Sequence, residues 1–323
     1  MLRSILFFLL LANILIVHAA SITLQANASM QYVVKASDTQ WDLATKYLKN
    51  PWQWPELWNS ISPTITLPPI YVGDTLVLTT TKTSSQLTVN HGSDLNNNRQ
   101  LIAPLPLKPL GSFLDKSAAL TADDFGGLPY IVALAQGLSL ANKGDTVIAR
   151  GLLNPSLNQK FLVLRKKRDY INPNDIYKKL GVEADYIATA QVTKLGESTD
   201  LQLTQVYQYV QIGDRLVLPQ TNPAPLQFNL QTPSKPVRAQ IIANLIDYAA
   251  INKYSIVALN YGSDDGAVPG QILLVTSDMS SKQPVGKPIG TLVIFRTFPQ
   301  VSWAMVMQMS AQIQTLNGVI SPG

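Results

Sequence analysis

The chain has 323 residues, 46% of them hydrophobic and 14% charged, with a formal charge of +5; this describes a globular protein with room for two or three domains. It holds no cysteine and two histidines, which excludes disulfide scaffolds, thiol catalysis and zinc centres built from several Cys or His ligands. The modest positive balance suits an anionic envelope polymer or a membrane surface and does not call for nucleic acid.

Residues 1–20 read as a secretory signal. Arg3 is a short positive region, Ile5 to Val17 is an apolar run broken only by Asn13, and Val17-His18-Ala19 offers small residues at the cleavage positions. The run is too short for a stable membrane span, and no cysteine follows it for lipid anchoring. The expectation is an exported protein of the periplasm or cell wall, with no integral membrane span once the signal is removed. Its loss takes away Arg3 and His18, which lowers the formal charge from +5 to +4 and leaves His91 as the single histidine.

A compact unit is predicted over residues 31–79. Tyr32-Val33-Val34 is a short strand, and Ser37-Asp38-Thr39 carries the side-chain oxygens that cap a helix start. Trp41, Ala44 and Leu48 then recur at helical spacing until Asn50-Pro51 stops the helix. Pro55 opens a second short helix with Leu57 and Trp58 turned inward. Gly73-Asp74 turns the chain into a closing strand, Leu76-Val77-Leu78, so the predicted order is βααβ. Of the clustered tryptophans, Trp41 and Trp58 belong to the core, while Trp52 and Trp54 suit either core packing or stacking on a sugar face.

Residues 80–110, rich in Thr, Ser, Asn and Pro, read as a linker. From residue 111 to 323 the pattern is mainly β, as one or two barrel- or sandwich-like domains with a possible subdivision near 220–236. Runs such as Tyr130 to Leu134 and Ser255 to Leu259 are strand-length and bounded by turn residues. Gly73-Asp74, Gly144-Asp145 and Gly213-Asp214 each precede a β-prone run, with Gly270-Gln271 a looser fourth, a recurring turn and not a solenoid repeat. The basic run Arg165-Lys166-Lys167-Arg168 reads as a solvated strand end, and Glu183 and Glu197 as turn-like. Val237 to Ala250 suits a helix or a strand. Gly290 to Phe298 and Val301 to Met309 form a predicted hairpin, in which Trp303, Met305, Met307 and Met309 make a core-packing stripe. Asp264-Asp265 reads as a plain turn.

The phrases Tyr32-Val33-Val34, Ser37-Asp38-Thr39, Trp41-Asp42-Leu43-Ala44, Ser62-Pro63 and Ile70-Tyr71-Val72-Gly73-Asp74 resemble the LysM module. The insert from Asn50 to Trp58 is similar to one branch of that family, bacterial envelope proteins with a long β-rich C-terminal region. Leu128 to Val132, Gly213 to Leu216 and Asn260 to Gly270 resemble the same branch more loosely. The resemblance implies an α+β fold class, a small LysM domain followed by the β-rich region. It further implies non-catalytic binding of peptidoglycan glycan strands containing N-acetylglucosamine. The implied groove has Asp38, Thr39 and Gln40 on one side and Ser62, Pro63, Ile65, Thr66 and Ile70 on the other. An uncharged glycan needs hydrogen bonds to its N-acetyl group and apolar contact to its methyl and ring faces. Neither cofactor nor metal is expected, and with one mature histidine and three glutamates, Glu56, Glu183 and Glu197, no catalytic set is assigned.

Ser37, Ser62 and Val72 depart from the family pattern, where Gly, Asn and Pro are usual. A second reading therefore stands beside the first: a structural or assembly scaffold whose residues 111–323 dock another envelope protein, with a degenerate LysM.

Overall fold

The computed structural model describes residues 22–58, 68–81, 85–92, 99–106, 108–111, 117–196, 198–219, 228–246, 249–277 and 288–322. Over these the chain is mainly β. The expected signal at 1–20 lies outside them, and among them no helix is long and apolar enough to cross a membrane.

The N-terminal unit runs through β1 (Gln31–Val33), α1 (Gln40–Tyr47), a 3-10 turn at Pro51–Gln53, α2 (Trp54–Trp58) and β2 (Thr75–Thr80). β1 and β2 pair antiparallel with Tyr32 opposite Leu76. α1 turns Trp41, Ala44 and Tyr47 into the core, as its apolar spacing requires. Trp54 belongs there too: it is fully buried, edge-on to Trp58 at 5.1 Å, while Trp52 is partly buried. β3 (Ser85–Asn90) adds a third strand along β2, inside the stretch read as a linker. Leu87 of this strand is buried in the core and Val89 packs against it, while their Ser, Gln, Thr and Asn neighbours hide the strand alternation in a polar composition.

Next come β4 (Ser117–Leu120), α3 (Ala122–Gly127), β5 (Tyr130–Leu134), β6 (Thr146–Arg150), β7 (Lys160–Asn172), β8 (Asp175–Lys194), β9 (Thr199–Val206) and β10 (Arg215–Val217). The pairing of β8 with both β7 and β9 closes six strands into a ring, β5-β6-β9-β8-β7-β10, with β4 attached outside on β8. A second closed barrel follows: β11 (Arg238–Asn244), β12 (Ile256–Leu259), β13 (Ile272–Thr276), β14 (Gly290–Thr297), β15 (Ser302–Met309) and β16 (Gly318–Ile320), in the order β11-β12-β15-β14-β13-β16. Residues 237–250 thus contribute a strand, and the hairpin expected near the end is β14–β15. Closure removes the free edges that would otherwise invite aggregation.

The two rings share one plan, first-second-fifth-fourth-third-sixth strand, and one register. Val147 faces Leu201 across β6–β9, and Val257 faces Ala304 across β12–β15. The same strands bulge at equivalent places, Thr204 and Met307, where the partner register slips by one residue. The recurring turns also coincide. Asn142 N donates to Asp145 Oδ2 (2.7 Å) and Asn252 N to Ser255 Oγ (2.9 Å) before the second strands. Gln211 N donates to Asp214 Oδ2 (2.8 Å) and Gln314 N to Asn317 Oδ1 (2.7 Å) before the sixth. Gly144 and Gly213 sit at φ 94° and 92° in the first ring, where the second places Tyr254 and Leu316, both at φ 69°. Of these four turns, the two in the first ring are Gly-Asp phrases found in the sequence, and their two counterparts in the second ring lack glycine.

The basic run is not a solvated end. Beyond residue 165 the β7–β8 hairpin leaves the first ring and lies on the second. Lys167 Nζ and Arg168 Nε reach Glu183, a fully buried carboxylate in the middle of β8, at 3.0 and 2.9 Å. Tyr170 Oη donates to the same group at 2.9 Å and accepts from Trp303 Nε1 of the second ring at 3.1 Å. Lys167 and Arg168 also donate to the carbonyls of Leu245 and Asn244. Burial holds the Tyr170 hydroxyl far above its ordinary pKa, and the Glu183 charge adds to the shift. Arg165 makes a two-pronged bond to Asp214 at 2.9 and 2.7 Å. Removing the partner of such a buried charge costs several kcal/mol, on the order of 3–5, so the cluster is a clasp between rings. Glu183 reads as turn-like in sequence because Gly181 precedes it; the long-range pairing of β8 with β4 and β7 is what buries it.

Candidate functional site

Three of the candidate residues lie at the start of α1. Asp38 accepts from Lys35 N (2.8 Å) and from Tyr32 Oη (2.9 Å), which closes the turn before the helix. Burial, reinforced by that carboxylate, raises the Tyr32 pKa. Thr39 is the N-cap: its Oγ1 accepts from Asp42 N at 3.1 Å, and Asp42 Oδ2 accepts from Thr39 N at 3.1 Å, a reciprocal capping box. Gln40 is buried, and its Oε1 has no hydrogen-bond partner among the described residues. Ile70, on the opposite wall, is buried at the entrance to β2. Ser62, Pro63, Ile65 and Thr66 lie outside the described residues.

Between these walls runs a segment whose composition reads as linker, residues 99–105. On one side Val72 N donates to Gln100 O (2.9 Å) and Ile102 N to Ile70 O (3.0 Å), with Leu101 opposite Tyr71 in an antiparallel bridge. On the other, Gln40 N donates to Ala103 O (3.0 Å) and Trp41 N to Pro104 O (3.2 Å), with Ala103 beside Thr39 in a parallel bridge. A helix start leaves its first amides without intrahelical partners; here the segment's carbonyls take two of them. Arg99 ties the segment down through an ion pair with Asp74, which is fully buried and also accepts from Tyr71 N at 2.8 Å. The guanidinium lies 4.7 Å from the Tyr71 ring centroid. His91 Nδ1 sits 3.1 Å from the same carboxylate, so this histidine belongs to the latch.

Magnitudes show how firmly the segment is held. Ile102 and Leu105 are buried in the shared core, worth roughly 1.5–3 kcal/mol each. The four main-chain bonds contribute about 0.5–1.5 kcal/mol apiece. Ordering the segment costs about 1–2 kcal/mol per residue, which offsets most of that gain. Apart from the Arg99–Asp74 ion pair the two sides nearly cancel, so that pair is what keeps the segment seated. The signal that marks this segment in the sequence is slight: Ile102 and Leu105 are apolar at positions otherwise set among prolines.

A second concavity of about 700 Å³ lies where the two rings meet β4, lined by Ser117, Thr121, Tyr186, Leu218, Arg296 and Phe298. Arg296 Nη1 donates to Ser117 O at 3.1 Å and its guanidinium lies 5.7 Å from the Phe298 ring centroid, so it braces the junction. Asp264-Asp265 forms a one-turn 3-10 helix in which Asp265 Oδ2 accepts from Gly262 N, a turn as expected. Among the described residues no group of three or more His, Cys, Asp and Glu side chains is placed to hold a metal. In comparisons with known proteins, no family model and no curated protein matches the chain.

Proposed function

We propose that the protein is an exported, non-catalytic component of the cell envelope that binds peptidoglycan glycan strands through its N-terminal unit. The observation that supports this reading is one juxtaposition: Asp38, Thr39 and Gln40 at the start of α1 and Ile70 before β2 stand on opposite sides of the segment 99–105. Main-chain amides and an apolar wall at that place are what an N-acetyl group requires. The resemblance of residues 32–78 to the LysM module supplies the ligand class. Holding a neutral sugar needs no tuned acid or base, which agrees with a chain that offers one histidine and no cysteine after residue 20.

A second reading has its own support. Residues 99–105 consume the groove's amides, and the N-terminal unit shares one apolar cluster with Trp303, Met305 and Met307 of the second ring. A unit so embedded suits a scaffold whose β-rich part docks another envelope protein. Sedimentation with insoluble peptidoglycan separates the two. The glycan reading expects residues 21–323 to be retained, competed off by N-acetylglucosamine oligomers and weakened several-fold by Gln40→Ala. Retention that oligomers do not compete, or that Gln40→Ala leaves unchanged, rules out the groove as the binding site.

A further inference from the structure

We propose that residues 99–105 are a built-in occupant of the glycan groove, and that a glycan strand enters only when this segment leaves. The inference rests on the glycan reading above and adds its regulation.

The chemistry of the occupant supports the exchange. What the segment presents to the start of α1 is a row of amide carbonyls: Ala103 O accepts from Gln40 N and Pro104 O from Trp41 N. The acetamido group of N-acetylglucosamine is also a secondary amide, with one carbonyl acceptor, one N–H donor and a methyl group. The same two helix-start amides therefore serve either ligand, but not both together. On the far wall Val72 N and Ile70 O are taken by Gln100 O and Ile102 N, so these groups on both described walls are occupied while the segment is seated. Gln40 Oε1, buried and unpartnered among the described residues, is an acceptor suited to an acetamido N–H.

The fastening supports a switch more than a permanent seal. One end is held by Arg99 on the Asp74 carboxylate, the other by Ile102 and Leu105 in the core. The apolar burial and main-chain bonds are largely offset by the cost of ordering the segment, which leaves the Arg99–Asp74 ion pair as the fastening that decides the closed fraction. A closed fraction that dominates without abolishing the open form reduces apparent affinity by the open fraction, and any partner or ligand that captures the released segment restores it.

The absence of cysteine from the chain makes the test clean. Tyr71 and Leu101 are directly opposed at a non-hydrogen-bonded antiparallel pair, with the flanking bonds Val72 N to Gln100 O and Ile102 N to Ile70 O. Such pairs approach closely enough for a disulfide. The double variant Tyr71→Cys, Leu101→Cys is sedimented with insoluble peptidoglycan in oxidised and reduced forms, beside an opened variant, Ile102→Asp with Leu105→Asp. The expected result is retention at least tenfold lower when oxidised than when reduced, with the opened variant retained at least as well as the reduced form. The oxidised and reduced forms share one sequence, so their contrast stands even if the opened variant does not fold. Equal retention of both forms overturns the occupant and leaves the glycan reading in place. If no form is retained, including an opened variant that folds and whose Arg99 has become sensitive to trypsin, the glycan reading itself has failed.

Discussion

The two six-stranded rings have one strand order, one register and one set of turns, yet their outer faces are chemically opposite. Along the fifth strand the first ring sends Leu201 and Leu203 inward and Asp200, Gln202 and Thr204 outward. At the matching positions the second ring sends Ala304 and Val306 inward and Trp303, Met305 and Met307 outward. Both faces of β12, β13 and most of β14 and β15 are buried, because the N-terminal unit and the β7–β8 hairpin cover the second ring. The first ring alternates because one of its faces meets water. Alternation and continuous apolar runs are therefore not two folds here; they are one fold with and without a cover. Met309 follows the same logic. The bulge at Met307 shifts the alternation, so Met309 packs with the inner cluster and leaves the stripe that its spacing predicts.

The strongest test of this contrast exchanges outward residues. Trp303→Ala should cost about 3–5 kcal/mol and Met305→Gln about 2–5, since each empties or polarises a fully buried site. The converse change Gln202→Met, at an exposed position, should stay within about 0.5 kcal/mol. Denaturant unfolding of the three variants checks this, and equal losses for Met305→Gln and Gln202→Met would show that the rings are not differently covered.

A smaller effect tests the turns before the sixth strands. Asp214→Asn preserves an acceptor for Gln211 N, as Asn317 does for Gln314 N. It removes the charge that Arg165 grips, and about 1.5–3 kcal/mol should be lost, toward the lower end because Arg165 is partly solvated. A loss that persists unchanged in an Arg165→Gln background would assign the effect to the turn and not to the ion pair.

The smallest effect concerns backbone strain. Leu316 is exposed and left-handed where Gly213 stands in the first ring. Leu316→Gly should raise stability by up to about 1 kcal/mol, while Gly213→Leu lowers it by about 1, the left-handed penalty net of glycine's greater chain entropy. Gly213 has open space where a Cβ would be, so a much larger loss there would point to a clash that the structure does not contain. Thermal midpoints measured in parallel resolve changes of this size.

Much of the local structure was legible in residue order. The Ser37-Asp38-Thr39 cap, the apolar stripe of α1, the Asn50-Pro51 stop and the β14–β15 hairpin depend on neighbours a few positions apart, and periodicity reports such neighbours directly. Trp54 was ambiguous because an aromatic ring suits a core and a sugar face equally, and only its place against Trp58 decided between them. Asp38, Thr39, Gln40 and Ile70 could be named as candidate residues through the resemblance, but what lies between them could not. Residues 99–105 carry no period and sit among prolines; their strand character exists only through bonds to Ile70 and Val72 on one side and Gln40 and Trp41 on the other.

Residue order alone sets the capped helix α1 of the first unit, the β character of the rest, the turn residues that start the strands and the scarcity of catalytic side chains. Assembly in three dimensions is what closes the β region into two rings of one plan, gathers Lys167, Arg168 and Glu183 into a buried clasp, and fills the candidate groove with its own chain. The division has one physical cause. Caps, turns and helical faces are settled by contacts a few residues long, whereas ring closure, charge burial and groove filling depend on pairings across tens of residues, whose entropy and register only the assembled fold resolves.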